Sequence, residues 1–246
     1  KKSNLIRNGP AAPRSAPATQ FPSRPMRQLI LNLLPEVPPS FDNFVAGGNA
    51  EALTGLATWL APTSREPLFY LWGEAGAGKT HLLRACQASY HDARSDPALA
   101  AMGSEASASD FDAVDHVEAL SDSGQIVLFH RINRLGASGG RLLVAANVPP
   151  LRLSLREDLR TRLGSGLLYR LQALTDADKL AALGEQAQAR GLALSREALH
   201  YLFSRAPRDM RSLAALLAAI DRYSLEQRRP ITLPLLREVL QASADS

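Results

Sequence analysis

Eight consecutive residues, Gly73-Glu74-Ala75-Gly76-Ala77-Gly78-Lys79-Thr80, set the tightest limit on what this chain can fold into. They match the spacing G-x-x-x-x-G-K-[ST] in full, and the flanks supply the context that this spacing needs. Leu68–Trp72 is a short apolar run that reads as a buried strand. The residues after Lys79, from Thr80 to Cys86, read as a helix. Strand, glycine-rich turn and helix open a βα unit whose turn cradles phosphate. Glycines let the backbone curl so that its N–H groups point at an anion, and the helix N-terminus adds the positive end of a dipole. Lys79 brings a full charge to β- and γ-phosphates, and the Thr80 hydroxyl suits Mg²⁺. The implied ligand is ADP or ATP with Mg²⁺.

The same alternation continues beyond the turn. Phe111–Val114 reads as a second strand ending at Asp115, Gln125–Leu135 as a helix, Leu142–Ala146 as a third strand and Leu167–Leu171 as a fourth. A further strand is expected near Ala98–Met102, in a stretch rich in Ala, Ser and Asp. Strands alternating with helices predict an α/β domain built on a parallel sheet. After about Thr175 the pattern turns wholly helical. Thr175 with Asp178 resembles a capping box, Gly191 stops that helix, and Ser195 caps the next. Pro207 breaks the chain ahead of a long helix from Asp209 to about Gln227, with Leu213, Leu216, Leu217 and Ile220 facing inward. Thr232 caps a last short helix, with Pro234 in its first turn. A small helical domain over 175–246 therefore follows an α/β domain over 41–174.

Three further positions bear on phosphate chemistry. Asp115, at a strand end, is the candidate acid for the metal. The next position in an ATPase poised for catalysis is usually a second acid that polarises water, and here it is His116. An imidazole is the poorer base there and does nothing to neutralise Mg²⁺, so slow hydrolysis is expected. Glu118, two residues further on, is a candidate to compensate. Asn147 ends the third strand and fits two readings: an amide that touches the γ-phosphate or positions water, and a turn-initiating Asn before Val148-Pro149. Arg160 and Arg162 close a short helix before Gly164 and Gly166. The planar fork of Arg pairs with two phosphate oxygens, and a solvated basic face is the alternative. Arg208, at the start of the long helix, is placed to bend back to the nucleotide.

Bulk properties narrow the classes. The pI near 9.5 invites a nucleic-acid reading, but six bases (Lys1, Lys2, Arg7, Arg14, Arg24 and Arg27) fall in residues 1–27, with no acid. Removing those six from 28 leaves 22 basic against 24 acidic residues, a net of −2, which argues against a broad phosphate-binding surface. Residues 1–25, rich in Pro, Ala, Ser and Arg, read as a disordered tag or linker ahead of a native start at Met26; an arginine-rich targeting segment is the competing reading. No apolar run is long enough for a membrane span. The one cysteine, Cys86, excludes an internal disulfide and fits a reducing cytoplasm; it reads as a small core residue.

Taken together these residues resemble the AAA+ module of the DnaA initiator family, and more closely its short regulatory branch, Hda. The resemblance covers nearly everything from Met26 onward. It is carried by Phe41-Asp42-Asn43-Phe44-Val45 with Gly47 and Asn49, by the phosphate loop, by Leu159–Leu167 and by Arg208-Asp209-Met210-Arg211. It implies that Phe44, Val45 and His81 flank the nucleotide beside the loop. It also implies that Asn147 is the sensor 1 residue, Arg208 the sensor 2 arginine, and Arg162, within Thr161-Arg162-Leu163, an arginine finger offered in trans. Gln28-Leu29-Ile30-Leu31-Asn32-Leu33, in the segment 26–40, resembles that branch's clamp-binding peptide: a glutamine for a pocket and leucines as apolar anchors.

The resemblance implies a cytoplasmic regulator of replication initiation. Docked on the DNA-loaded sliding clamp (the β subunit of DNA polymerase III), it promotes hydrolysis of ATP bound to DnaA, with little ATPase of its own and self-association as a further expectation. No helix-turn-helix domain follows the lid in this sequence, in keeping with the regulatory branch and against sequence-specific DNA binding. A stand-alone ATPase or helicase loader of similar fold is the rival reading.

Overall fold

The structure, a computed structural model, describes residues 38–103, 109–205, 207, 209–227 and 236. Five parallel strands form its centre: β1 (Leu68–Trp72), β2 (Ser89–Asp92), β3 (Phe111–Asp115), β4 (Arg141–Ala146) and β5 (Leu167–Arg170), in the order β2-β3-β4-β1-β5. The α/β helices are α1 (Ala50–Leu60), α2 (Lys79–Ala85), α3 (Ala100–Gly103), α4 (Asp122–Ser138) and α5 (Glu157–Gly164). Successive strand residues point to opposite faces, so each strand feeds two cores. Tyr70, Val114, Leu142 and Val144 join Leu128, Ile132, Leu159 and Leu163 on one side of the sheet. Phe69, Leu71, Ala113, Leu143 and Ala145 meet Leu56, Trp59, Leu82 and Leu83 on the other. A sheet buried on both faces explains why β1 and β4 are apolar at nearly every position. Asn49, just ahead of α1, is buried and exchanges two hydrogen bonds with the backbone of Gln172, just past β5.

One strand stands where the sequence did not suggest it. Ala98–Met102 is not a strand: α3 occupies Ala100–Gly103, and the extra strand is Ser89–Asp92, whose four residues are half-buried or exposed. As an edge strand it pairs only with β3, so it needs no apolar run.

The helical part consists of α6 (Asp176–Ala189), α7 (Arg196–Arg205) and α8 (Met210–Gln227) among the described residues. Thr175 and Asp178 close a reciprocal capping box at the start of α6. Gly191 takes a positive φ of 73° just past its end. Ser195 Oγ accepts from the Ala198 N–H at 3.2 Å, and Asp209 Oδ1 accepts from the Ser212 N–H at 2.8 Å, so α7 and α8 start on side-chain caps. Leu213, Leu216, Leu217 and Ile220 are buried, Leu213 and Leu217 against Leu183 and Ala187, Leu216 and Ile220 against Ala198 and Leu202. Thr232 and Pro234 lie outside the described residues. No helix among the described residues is long and apolar enough to cross a membrane.

Candidate functional site

The loop Gly73–Thr80 leaves the end of β1 and enters α2. In a parallel sheet all strand ends point the same way, so β1, β3 and β4 deliver Gly73, Asp115 and Asn147 to one rim, where doubly wound folds bind ligands. Trp72 pairs with Ala146, and the Gly73 N–H donates to Ala146 O at 3.3 Å, which sets Asn147 beside the loop. Gly76 and Gly78 have φ of 81° and 97°, left-handed values that side chains resist. A Cβ on Gly76 would meet nothing within 4 Å, so there is open space beside that residue, whereas one on Gly78 would come within 2.6 Å of the Phe44 ring. Phe44 thus lies against the loop, and its ring is edge-on to His81 at 5.4 Å. His81 Nε2 lies 2.8 Å from Ser40 O and donates to it, which ties the segment before α1 to α2. Val45 is half-buried beside Phe44, and Glu74 and Ala75 are exposed at the loop tip.

Lys79 is buried at the base of the loop. Its Nζ donates to Gly73 O at 2.6 Å, to Glu74 O at 2.9 Å and to Asn147 Oδ1 at 3.1 Å. Burial pulls the ammonium below the ordinary lysine range; the carboxylates of Asp115 and Glu118 oppose that shift. Asp115 is fully buried. Its Oδ2 accepts from the Thr80 hydroxyl at 2.6 Å and from the Tyr90 hydroxyl at 3.0 Å, and its Oδ1 from the His116 N–H at 2.9 Å. Tyr90, which no motif singled out, has its phenol pushed up to about 12, by burial first and then by Asp115. The structure therefore brings Phe44, His81, Lys79, Thr80, Asp115 and Asn147 together.

The donor set suits a phosphate-bound hard cation. Thr80 and Asp115 offer oxygens only, and among the described residues no group of three or more His, Cys, Asp or Glu side chains forms a metal site. Mg²⁺ takes few protein ligands and the rest from phosphates and water, so Thr80 and Asp115 would hold it together with nucleotide.

Arg162 lies apart from this cluster. It is exposed in the last turn of α5. Together with Phe129, Arg156 and Thr161 it lines an open cleft of about 710 Å³. Residues two apart on a helix face different ways, and Arg160 accordingly buries its Nε, with no hydrogen-bond partner among the described residues. Arg208 and Gln28–Leu33 lie outside the described residues. Sequence reasoning missed the Arg131–Asp112 pair; the visible signal was a charged residue, Asp112, in the middle of an apolar strand.

Comparison with known proteins agrees with this architecture. Residues 38–118 match the family model of the bacterial DnaA ATPase domain, and residues 176–240 match that of the Hda lid domain. An uncharacterized protein of Haemophilus influenzae is 32% identical over 215 residues, covering 82% of this chain and 93% of that protein. Domain III of Thermotoga maritima DnaA superposes with a TM-score of 0.64 at 20% identity, over 85% of this chain and 98% of that one. AMPPCP-bound DnaA from Aquifex aeolicus gives 0.61 at 23% identity (80% and 71%), and a RuvB mutant of Thermotoga maritima 0.57 at 17% (83% and 72%). Fold and loop together define a P-loop AAA+ protein with a helical lid. Within that class, the chain belongs to the DnaA-related Hda family.

Proposed function

We propose that this chain is an ADP- or ATP-binding regulator of chromosomal replication initiation which, with the DNA-loaded sliding clamp, promotes hydrolysis of ATP bound to DnaA. The observation that carries the reading is the standing of Arg162. Its neighbour in the cleft, Arg156, is paired to Asp158 at 2.6 Å. Arg162 has no ion pair or hydrogen bond through its guanidinium among the described residues, and it lies outside its own phosphate loop. An exposed fork on the rim of a nucleotide-binding domain suits charge developing on a neighbouring subunit's phosphate, a role worth roughly 10³-fold or more in rate.

The chain's own site is then a ligand-controlled element. Gly73–Thr80 wrap the phosphates, Lys79 neutralises them, and Asn147 stands as sensor 1. Phe44, Val45 and His81 flank the nucleotide, and Arg208 is assigned to its phosphates. Mg²⁺, when bound with nucleotide at Thr80 and Asp115, screens the charge on the phosphate oxygens. Gln28–Leu33 is the segment assigned to the clamp.

The test is phosphate release from ATP-loaded DnaA in the presence of DNA-loaded clamp. The protein is expected to stimulate release, and either Arg162→Ala or the pair Gln28→Ala, Leu31→Ala is expected to abolish the stimulation. Absence of stimulation by the unaltered protein, with rapid hydrolysis by the protein alone, would favour a stand-alone ATPase.

A further inference from the structure

The residue after Asp115 has its backbone in the left-handed region, with His116 at φ 55° and ψ 44°. Its ring is turned away toward β2: Nδ1 lies 3.0 Å from Asp92 Oδ1 and 3.6 Å from Asp115 Oδ1. That turn starts a 3₁₀ segment, Val117–Ala119, anchored by the buried Val117. Through it Glu118 comes to the end of β4. There Glu118 Oε1 accepts from Asn147 Nδ2 at 2.5 Å, while Asn147 Oδ1 accepts from Lys79 Nζ at 3.1 Å. One amide therefore connects the carboxyl to the phosphate-loop lysine. The other oxygen, Glu118 Oε2, is buried and has no hydrogen-bond partner among the described residues. A buried acceptor with nothing to accept from is costly and marks a place where a donor belongs. The carboxyl's field also reaches Tyr70, whose phenol is raised by burial first and then by Glu118.

We propose that Glu118 is the catalytic carboxylate of the chain's own ATP hydrolysis. Asn147 fixes it through Oε1, and Oε2 holds the attacking water. This rests on the reading of Gly73–Thr80 as a nucleotide site. The water oxygen bonds to the γ-phosphorus as the bond from that phosphorus to the β-bridging oxygen breaks, and the bonding pair stays on ADP. The water proton passes to Glu118 Oε2 and then to the released phosphate, so the carboxylate is regenerated and no other reactant is needed. The role of the missing second acid is thereby moved three residues along from Asp115 by the left-handed turn at His116. The imidazole is held by the carboxylates of Asp92 and Asp115.

Glu118→Gln keeps the shape and an acceptor for Asn147 but removes the base. The experiment mixes excess protein with radiolabelled ATP and Mg²⁺, follows a single turnover to ADP, and in parallel measures affinity for a fluorescent ADP analogue and the thermal midpoint. The expected result is ADP formation slowed by roughly 10²-fold or more, with ADP-analogue affinity within about threefold. Turnover by Glu118→Gln at the unaltered rate overturns the proposal. So does loss of analogue binding by that variant, which would make Glu118 a structural residue. Loss of turnover in His116→Gln with turnover kept in Glu118→Gln would place the base on the imidazole and overturn it as well. If the unaltered protein binds the analogue but forms no ADP, the proposal falls and the nucleotide-site reading stands; if it binds neither nucleotide, both fall. Should Glu118→Gln fail to fold, Glu118→Asp, which keeps the charge but shortens the reach, is expected to lower the rate with binding retained, and a full rate there overturns the proposal.

Discussion

Arg131 Nε donates to Asp112 Oδ2 at 2.7 Å, an ion pair formed by α4 and β3 in which Asp112 is 1% and Arg131 9% exposed. The guanidinium also donates through Nη2 to Ser109 O at 2.6 Å, and His91 Nε2 lies 3.3 Å from the other carboxylate oxygen. The pair is thus satisfied on both sides. Breaking it by Arg131→Met leaves a carboxylate in a dry site and is expected to cost about 3 kcal/mol or more. Replacing both partners, Asp112→Leu with Arg131→Met, is expected to recover most of that loss. Urea denaturation of the two variants checks it; equal losses would mean that shape, not charge, sets the cost.

Two glycines of the phosphate loop are expected to fail differently. A Cβ on Gly73 would overlap the Leu171 carbonyl oxygen, a backbone atom that has no room to yield, since the Leu171 N–H is itself bonded to Trp72 O at 2.7 Å. Gly73→Ala is expected to lower the thermal midpoint by several degrees. A Cβ on Gly76 meets open space but sits at a φ of 81°, a strain of about 1–2 kcal/mol. Gly76→Ala is therefore expected to keep its fold and lose affinity for ADP, as read by titration calorimetry.

Lys79→Ala removes the cation at the base of the loop and its bonds to Gly73 O, Glu74 O and Asn147 Oδ1. ADP is expected to bind at least about tenfold more weakly, a loss of about 1.4 kcal/mol. The ADP-induced rise in thermal midpoint should disappear. A shift equal to that of the unaltered protein would remove Lys79 from the site.

At the start of α6, the Thr175 hydroxyl and N–H both donate to Asp178 Oδ2, at 2.6 and 2.9 Å. These bonds, the hydroxyl's first, hold the Asp178 carboxyl below the usual aspartate range. A lowered folded value gives a stabilisation fully present above the unfolded value of about 3.9 and lost as pH falls through the folded value. The stability gap between the unaltered protein and Thr175→Ala is expected to shrink between about pH 4 and pH 2. Thermal melts across that range check it.

Burial pushes the Cys86 thiol up to about 12. At pH 8.5 about half of an unfolded cysteine is thiolate, whereas the folded one is ionised at a level of about one in a thousand or less. Alkylation by iodoacetamide is expected to be at least about 100-fold slower in the native protein than in urea.

The strands that carry the site were legible because two-sided burial leaves nearly continuous apolar runs, as in Leu68–Trp72 and Leu142–Ala146. The loop was legible because glycine spacing encodes its backbone directly. Ser89–Asp92 was not: an edge strand with half its surface open needs no apolar signature, and Tyr90 and His91 spend their side chains on Asp115 and Asp112. Glu118 was visible as a nearby acid, but its contact with Asn147 was hidden for another reason. It depends on one left-handed residue, His116, and a non-glycine there gives no sign in the sequence that it will turn that way. Arg162 and Arg160 differ by which side of one helix turn they occupy, which spacing suggests and only the packing of α5 decides.

The paired bonds between Asn49 and Gln172 also fix where the sheet's last strand hands the chain on to the helical part. The Asn49 amide donates to Gln172 O at 2.9 Å, and its carbonyl accepts from the Gln172 N–H at 2.7 Å. They rivet the entrance of the α/β domain to its exit. The capping box that starts the lid begins at Thr175. Only Ala173 and Leu174 separate Gln172 from Thr175, and the Leu174 side chain lies against Gly47, so the connection between sheet and lid has almost no slack.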